Sequence, residues 1–242
     1  MRVSLVTYRV NTLMKIGLKL AFLVLLLGSL PAAAQTTSGT KDDYLSWSAG
    51  QAEQIGKQMR ENGKTGGVFS FRGIHTDHAV NYKLRATLMT PEVIRATARL
   101  AQLTNRLTDD QTRAMVKEAE EAGDLIVMIE IDPNEGSGVI PLDWRAFLQP
   151  KALPAGAEGA ITAIKMPELR RVKALAGVAR RDYDYDVFWV SFPLLDANKK
   201  AAISPDLAEI QLIVGIYQSE GKISWRMPAS VRDKIRSLSG NQ

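Results

Sequence analysis

The stretch from Ala208 to Pro228, AEIQLIVGIYQSEGKISWRMP, decides the fold class. Two apolar runs flank the turn tripeptide Ser219-Glu220-Gly221, and the spacing predicts a β-hairpin with strands over 208–218 and 222–227. A hairpin commits part of the sheet to antiparallel pairing. A purely parallel, doubly wound sheet therefore fits poorly.

Working back toward the N-terminus, DVFWVSFPLL (Asp186 to Leu195) reads as another strand, and MPELRRVKALAG contains a short helix expected over 167–175. In VIPLDWRAFLQP, Pro141 marks an edge or a bend, because proline removes a ladder donor. DLIVMIEID is mostly apolar from Leu125 to Ile131, as a central strand is. Before it, Thr108-Asp109-Asp110-Gln111 is a capping box, and the helix it opens is expected to stop at Gly123.

Thr90-Pro91-Glu92 is a second helix start, and Ile94, Ala98 and Ala101 share one helical face over 91–104. Ile94, Ala96, Ala98 and Leu100 also alternate, so a strand competes there. NYKLRATLM (81–89) alternates like a half-buried strand, and Val68 to Phe71 is a shorter one. Ala49 to Arg60 forms a thin amphipathic helix capped by Ser48, while the tail VRDKIRSL makes a terminal turn or short helix. Together these elements predict an α+β fold: mainly an antiparallel sheet, or a β-sandwich of which the immunoglobulin type is one form, with two or three helical insertions.

The N-terminal 34 residues have a different character. Arg2, Arg9, Lys15 and Lys19 precede the apolar block Leu20 to Leu30, and Pro31 leads into Ala32-Ala33-Ala34. A basic end, a short apolar centre and small residues before a cleavage point are the layout of a secretory signal peptide. The block is shorter than the roughly 20 apolar residues of a bilayer span, so cleavage near Ala34 is expected in preference to an uncleaved anchor. Met14 offers an alternative start with a complete signal behind it. The expected organisation is signal peptide 1–34, a flexible or weakly helical lead-in over 35–66, and one globular domain over 67–242.

Charge and composition then narrow the function classes. Of 31 Lys and Arg, four lie in the leader, which has no Asp or Glu; 27 basic residues then face 26 acidic ones, and the formal charge falls from +5 to +1. The pI near 9.4 thus belongs largely to the targeting segment and marks no nucleic-acid surface. The chain has no cysteine, so neither a disulfide framework nor a lipobox anchor is available.

Candidate sites are few. His75, Asp77 and His78 carry donors suited to zinc, yet no HExxH pattern completes the set, and a solvated turn is the simpler reading. Asp182, Asp184 and Asp186 alternate with tyrosines, and an extended chain would line the carboxylates on one face, needing solvent, Arg180 and Arg181, or calcium. Asp132 and Asn134 begin an acidic loop that departs from an EF-hand, since its twelfth position is Asp143. Tyr44 and Trp47, in the lead-in, either anchor a partner or pack back on the domain. Trp144, Phe147, Phe188, Trp189 and Trp225 are expected in the core.

Neither a P-loop nor a nucleophile elbow is present: Gln58 stands where the first P-loop glycine belongs, and Ser70 lies in Phe-Ser-Phe. The sequence thus predicts an exported, non-enzymatic binding or interaction module of a bacterial-type cell envelope. Its expected partner is an envelope protein or polymer. It is expected to have no transmembrane span after cleavage, no catalytic residues and no required cofactor, calcium or zinc being the only metals considered. The alternatives are an extracytoplasmic metal- or carboxylate-dependent hydrolase using Asp182, Asp184 and Asp186, and a purely structural envelope component.

Overall fold

In the computed structural model, residues 43–65, 82–133, 140–151, 153, 157–175, 186–217 and 219–240 are described. Their alternating stretches form nine strands: β1 (Arg60–Thr65), β2 (Tyr82–Met89), β3 (Leu125–Pro133), β4 (Arg145–Pro150), β5 (Ile161–Thr162), β6 (Ile164–Lys165), β7 (Asp186–Phe192), β8 (Glu209–Ile216) and β9 (Ser219–Arg226). Four α-helices accompany them among the described residues: α1 (Ala49–Gln58), α2 (Pro91–Asn105), α3 (Asp109–Glu121) and α4 (Ala229–Gly240). The fold is α+β, with the strands in one antiparallel sheet of order β5-β4-β8-β9-β1-β2-β3-β7-β6. The end strands β5 and β6 are consecutive in the chain, separated by Ala163 alone.

The hairpin exists, but its turn is displaced. Ile216 pairs with Ser219, and Ser219-Glu220-Gly221 lies inside β9. Gly221 is in the strand for a packing reason. A Cβ there would press on Thr65 Oγ1, on Leu84 Cδ2 at 2.8 Å and on the Lys64 carbonyl at 3.0 Å, so only glycine lets β9 lie this close to β1.

The expected lead-in over 35–66 supplies more than a tether. Ser48 and Gln51 form a reciprocal capping box that starts α1, and β1 follows as an interior strand between β9 and β2. Side-chain periodicity cannot find β1, because Arg-Glu-Asn-Gly-Lys-Thr holds no apolar residue; its ladder to β2 along all six residues defines it. The described residues, from Asp43 to Gly240, belong to one compact unit. The expected signal peptide and the strand at 68–71 lie outside the described residues.

Helices stand where the sequence carries caps. Thr90 accepts from the Val93 amide at the start of α2, with Pro91 in the first turn, which settles the strand alternative in favour of helix. Thr108 and Gln111 cap α3 reciprocally. The helix expected at 167–175 is instead two 3-10 turns, Pro167–Arg171 and Lys173–Leu175, because Val172 between them is extended and no side chain caps Met166. The tail forms the twelve-residue α4, whose Val231 and Ile235, one turn apart, are buried.

Each face of the sheet carries its own core. One face contributes Tyr82, Leu84, Leu88, Val127, Ile129, Phe192, Leu148, Leu212, Ile223 and Trp225, which pack together and against α4. On the opposite, outer face, Met89, Ile126, Met128 and Trp189 from β2, β3 and β7 pack under α2, α3 and the 3-10 turns through Val93, Ile94, Met115, Leu169 and Leu175. Each such side chain fully removed from water contributes about 1.5–3 kcal/mol before entropy is counted. No helix among the described residues is long and apolar enough to cross a membrane.

Candidate functional site

On the outer face of β4, β8 and β9 the row at Gly215 is polar, while Ile213 in the next row of that face is buried. Arg145 of β4 and Glu220 of β9 both pair with Gly215 of β8, so one row across the sheet reads Arg145, Gly215, Glu220. Cross-strand partners share a face, and nothing stands within 4 Å of where a Gly215 Cβ would be. The missing side chain leaves a slot about two strand spacings wide, roughly 9–10 Å, between a guanidinium and a carboxylate.

This slot opens into a groove of about 460 Å³ lined by Asp143, Arg145, Phe147, Gly215, Tyr217, Ser219 and Glu220. Tyr217 stands at its head with a φ of 52°, in the left-handed region. Two-residue hairpin loops need positive φ and favour Asn or Gly, so an exposed aromatic residue is held there at a backbone cost of about 1 kcal/mol. A hydrogen bond joins Tyr217 to Tyr82, and burial together with that contact raises the Tyr82 pKa.

The wall bearing Asp143 is braced from β6. Lys165 donates through Nζ to the Leu142 carbonyl at 2.7 Å, and the ammonium sits 4.3 Å from the Trp144 ring centroid, a cation–π contact. Desolvation pushes the Lys165 pKa down, and the Asp143 charge pulls it back. Trp144 packs 5.1 Å from Phe188. The Leu142 side chain beyond this brace is 97% exposed. Glu220 is also within 3.6 Å of Lys222, while Arg145 makes no hydrogen bond or ion pair among the described residues.

A second polar group occupies the outer face of β1–β3. Glu130, 1% exposed, faces Arg60 at 3.6 Å, and Arg85 donates to Asn62 Oδ1 at 3.0 Å. Asp132 lies beside them, buried and paired with Lys83 at 3.2 Å. An ammonium already neutralises this expected metal donor. Asp186 is exposed and pairs with Ile131, one residue out of step with Asp132, so the two carboxylates point to opposite faces of the sheet.

His75, Asp77, His78, Asn134, Asp182 and Asp184 lie outside the described residues. Among the described residues no group of three or more His, Cys, Asp or Glu is placed to hold a metal ion. Tyr44 is 3% exposed within the core beneath the helices and meets Trp47 edge-on at 6.3 Å; the Trp47 carbonyl accepts from Arg99 Nε at 2.8 Å. This pair packs back on the fold. Of the aromatics expected in the core, Trp144, Trp189 and Trp225 are buried and Phe188 is half-buried, but Phe147 lines the groove because its position in β4 faces outward.

Sequence reasoning missed Arg145, Gly215, Tyr217 and Glu220. The available signal was Gly215, one glycine within a continuous apolar strand, which marks a bulge or a place where something approaches the backbone.

No protein-family model matches the chain, and no curated protein matches it. Among solved structures the chain is similar to a novel protein of unknown function from Burkholderia pseudomallei, at 17% identity and a TM-score of 0.38. The likeness covers 79% of this chain and 88% of that one.

Proposed function

We propose that the protein is an exported, non-enzymatic binding module of the cell envelope that engages its partner through the groove at Gly215. The observation that carries this reading is the slot itself: an unfilled row between Arg145 and Glu220, away from the part of the outer face on which the described helices α2 and α3 pack. Arginine and tyrosine are the residues most often found at binding hot spots, and both stand at this groove. The rim supplies exposed apolar surface through Leu142 and Tyr217. The interior of the sheet is packed with side chains, which directs binding to this outer surface. Export rests on the basic, apolar and small-residue order of the first 34 residues.

The strand arrangement in this reading is a closed barrel rather than an immunoglobulin-like sandwich. Its support is that Ile161 and Thr162 pair with β4 at one end of the order while Ile164 and Lys165 pair with β7 at the other. Closure would leave no free edge for a partner strand, so recognition would depend on side chains.

The test places a photoreactive phenylalanine analogue at Phe147 in living cells, with Leu103 on α2 as an exposed control. Light-dependent adducts at Phe147 and none at Leu103, in the extracytoplasmic fraction, are the expected result. Absence of adducts at Phe147, or a chain retained in the cytoplasm, refutes the reading.

A further inference from the structure

The charges around the slot restrict what it accepts, and this argument rests on the groove being the binding site. The charges interleave: Glu220 lies 3.6 Å from Lys222, Asp143 acts on Lys165, and Arg145 stands between them, so the groove offers neither an anion nor a cation a field of one sign. A purely apolar ligand would strip water from three charged groups without replacing their hydrogen bonds, which is costly. The remaining class is neutral, rich in hydroxyl groups and apolar on one side. Planar carboxylates and a guanidinium pair well with adjacent hydroxyls, and Arg145 has its fork of donors unused among the described residues.

Tyr217 completes the set. Tyr217 is 64% exposed at the head of the slot, in a backbone position that favours Asn or Gly, and its link to Tyr82 restrains it. A sugar ring has a face of C–H groups that stacks on such an aromatic surface while its edge hydroxyls reach the polar walls. The groove volume of about 460 Å³ falls within the range of small-ligand sites. We infer that the groove binds a neutral segment of a glycan chain, stacked on Tyr217 and hydrogen-bonded by Arg145, Asp143 and Glu220.

The experiment titrates the full chain, purified from its own cells, with two probes followed by calorimetry. They are short chito-, cello- and malto-oligosaccharides, and the neutral glycan fraction released from the same cells' envelope. Saturable binding is expected, weakened by about tenfold or more in Tyr217→Gly and in Gly215→Val and unchanged in Leu103→Ala. Tyr217→Gly relieves the positive φ and the Gly215→Val Cβ meets nothing within 4 Å, so both variants are expected to melt at or above the wild-type temperature, and lost binding then cannot be assigned to unfolding. Binding of neither probe, or binding that both variants retain, overturns the glycan assignment. If the Phe147 crosslink then lands on a protein, the binding-module reading stands without the glycan; if no crosslink forms either, both fall.

Discussion

The two halves of the sheet's outer face differ in what covers them. On β2, β3 and β7 the outward positions Met89, Ile126, Met128 and Trp189 are apolar and buried under α2, α3 and the 3-10 turns. On β4, β8 and β9 the corresponding row is Arg145, Gly215 and Glu220, open to solvent. The outer surface of one sheet thus carries an apolar core under the described helices at one place and an exposed, unfilled polar row at another. The difference comes from side-chain chemistry alone, since the backbone ladder runs through both halves.

The largest test of this contrast is Trp189→Ala. Emptying a large buried site under the helices is expected to lower unfolding free energy by about 3–5 kcal/mol, whereas Arg145→Ala on the open half should stay within about 0.5 kcal/mol of wild type. Urea denaturation of both variants measures the gap, and equal losses would erase the distinction.

A finer test uses two glycines of the same hairpin. Gly221→Ala must displace Thr65 or Leu84 and is expected to destabilise by about 1–3 kcal/mol, as overpacking does. Gly215→Ala meets nothing within 4 Å and should stabilise the strand by about 0.5–1 kcal/mol, the usual penalty of glycine in a strand. Thermal melts that moved in the same direction would contradict the assignment of the two faces.

The smallest expected effect is on pH dependence. The folded state holds the Tyr82 phenol above its ordinary value of 10.0, so just above that pH the folded chain keeps a proton that the unfolded chain has lost. The stabilisation is fully present below about pH 10 and is lost as pH rises through the folded pKa. Tyr82→Phe should flatten this alkaline slope in denaturation midpoints taken above pH 9 and leave it unchanged near neutrality; an unaltered slope would remove Tyr82 as its source.

Legibility in the sequence followed the kind of signal. Thr90-Pro91 and Thr108 to Gln111 identify their helices because a cap is a local device, complete within four residues. β1 was not legible, because it is a strand by virtue of partners at Thr87 to Tyr82 and at Gly221, all distant in sequence. The Ser219-Glu220-Gly221 tripeptide resembles a turn, yet close packing of β9 against Thr65 governs the use of Gly221. The acidic residues drew attention because charge is conspicuous in a string of letters. Asp132 is nonetheless taken up by Lys83, and Asp186 faces away from it.

The sequence by itself determined the antiparallel hairpin, the two capped helices and the alternation of the long strands, since each depends on local propensity or on period. It also determined the near balance of charge beyond residue 34. Tertiary structure alone decided that a polar six-residue segment is an interior strand, that Phe147 faces outward, and that Arg145, Gly215 and Glu220 form one row. These facts require register between strands that are not neighbours in sequence, Arg145 and Gly215 being 70 residues apart, and register is set where side chains meet across the sheet.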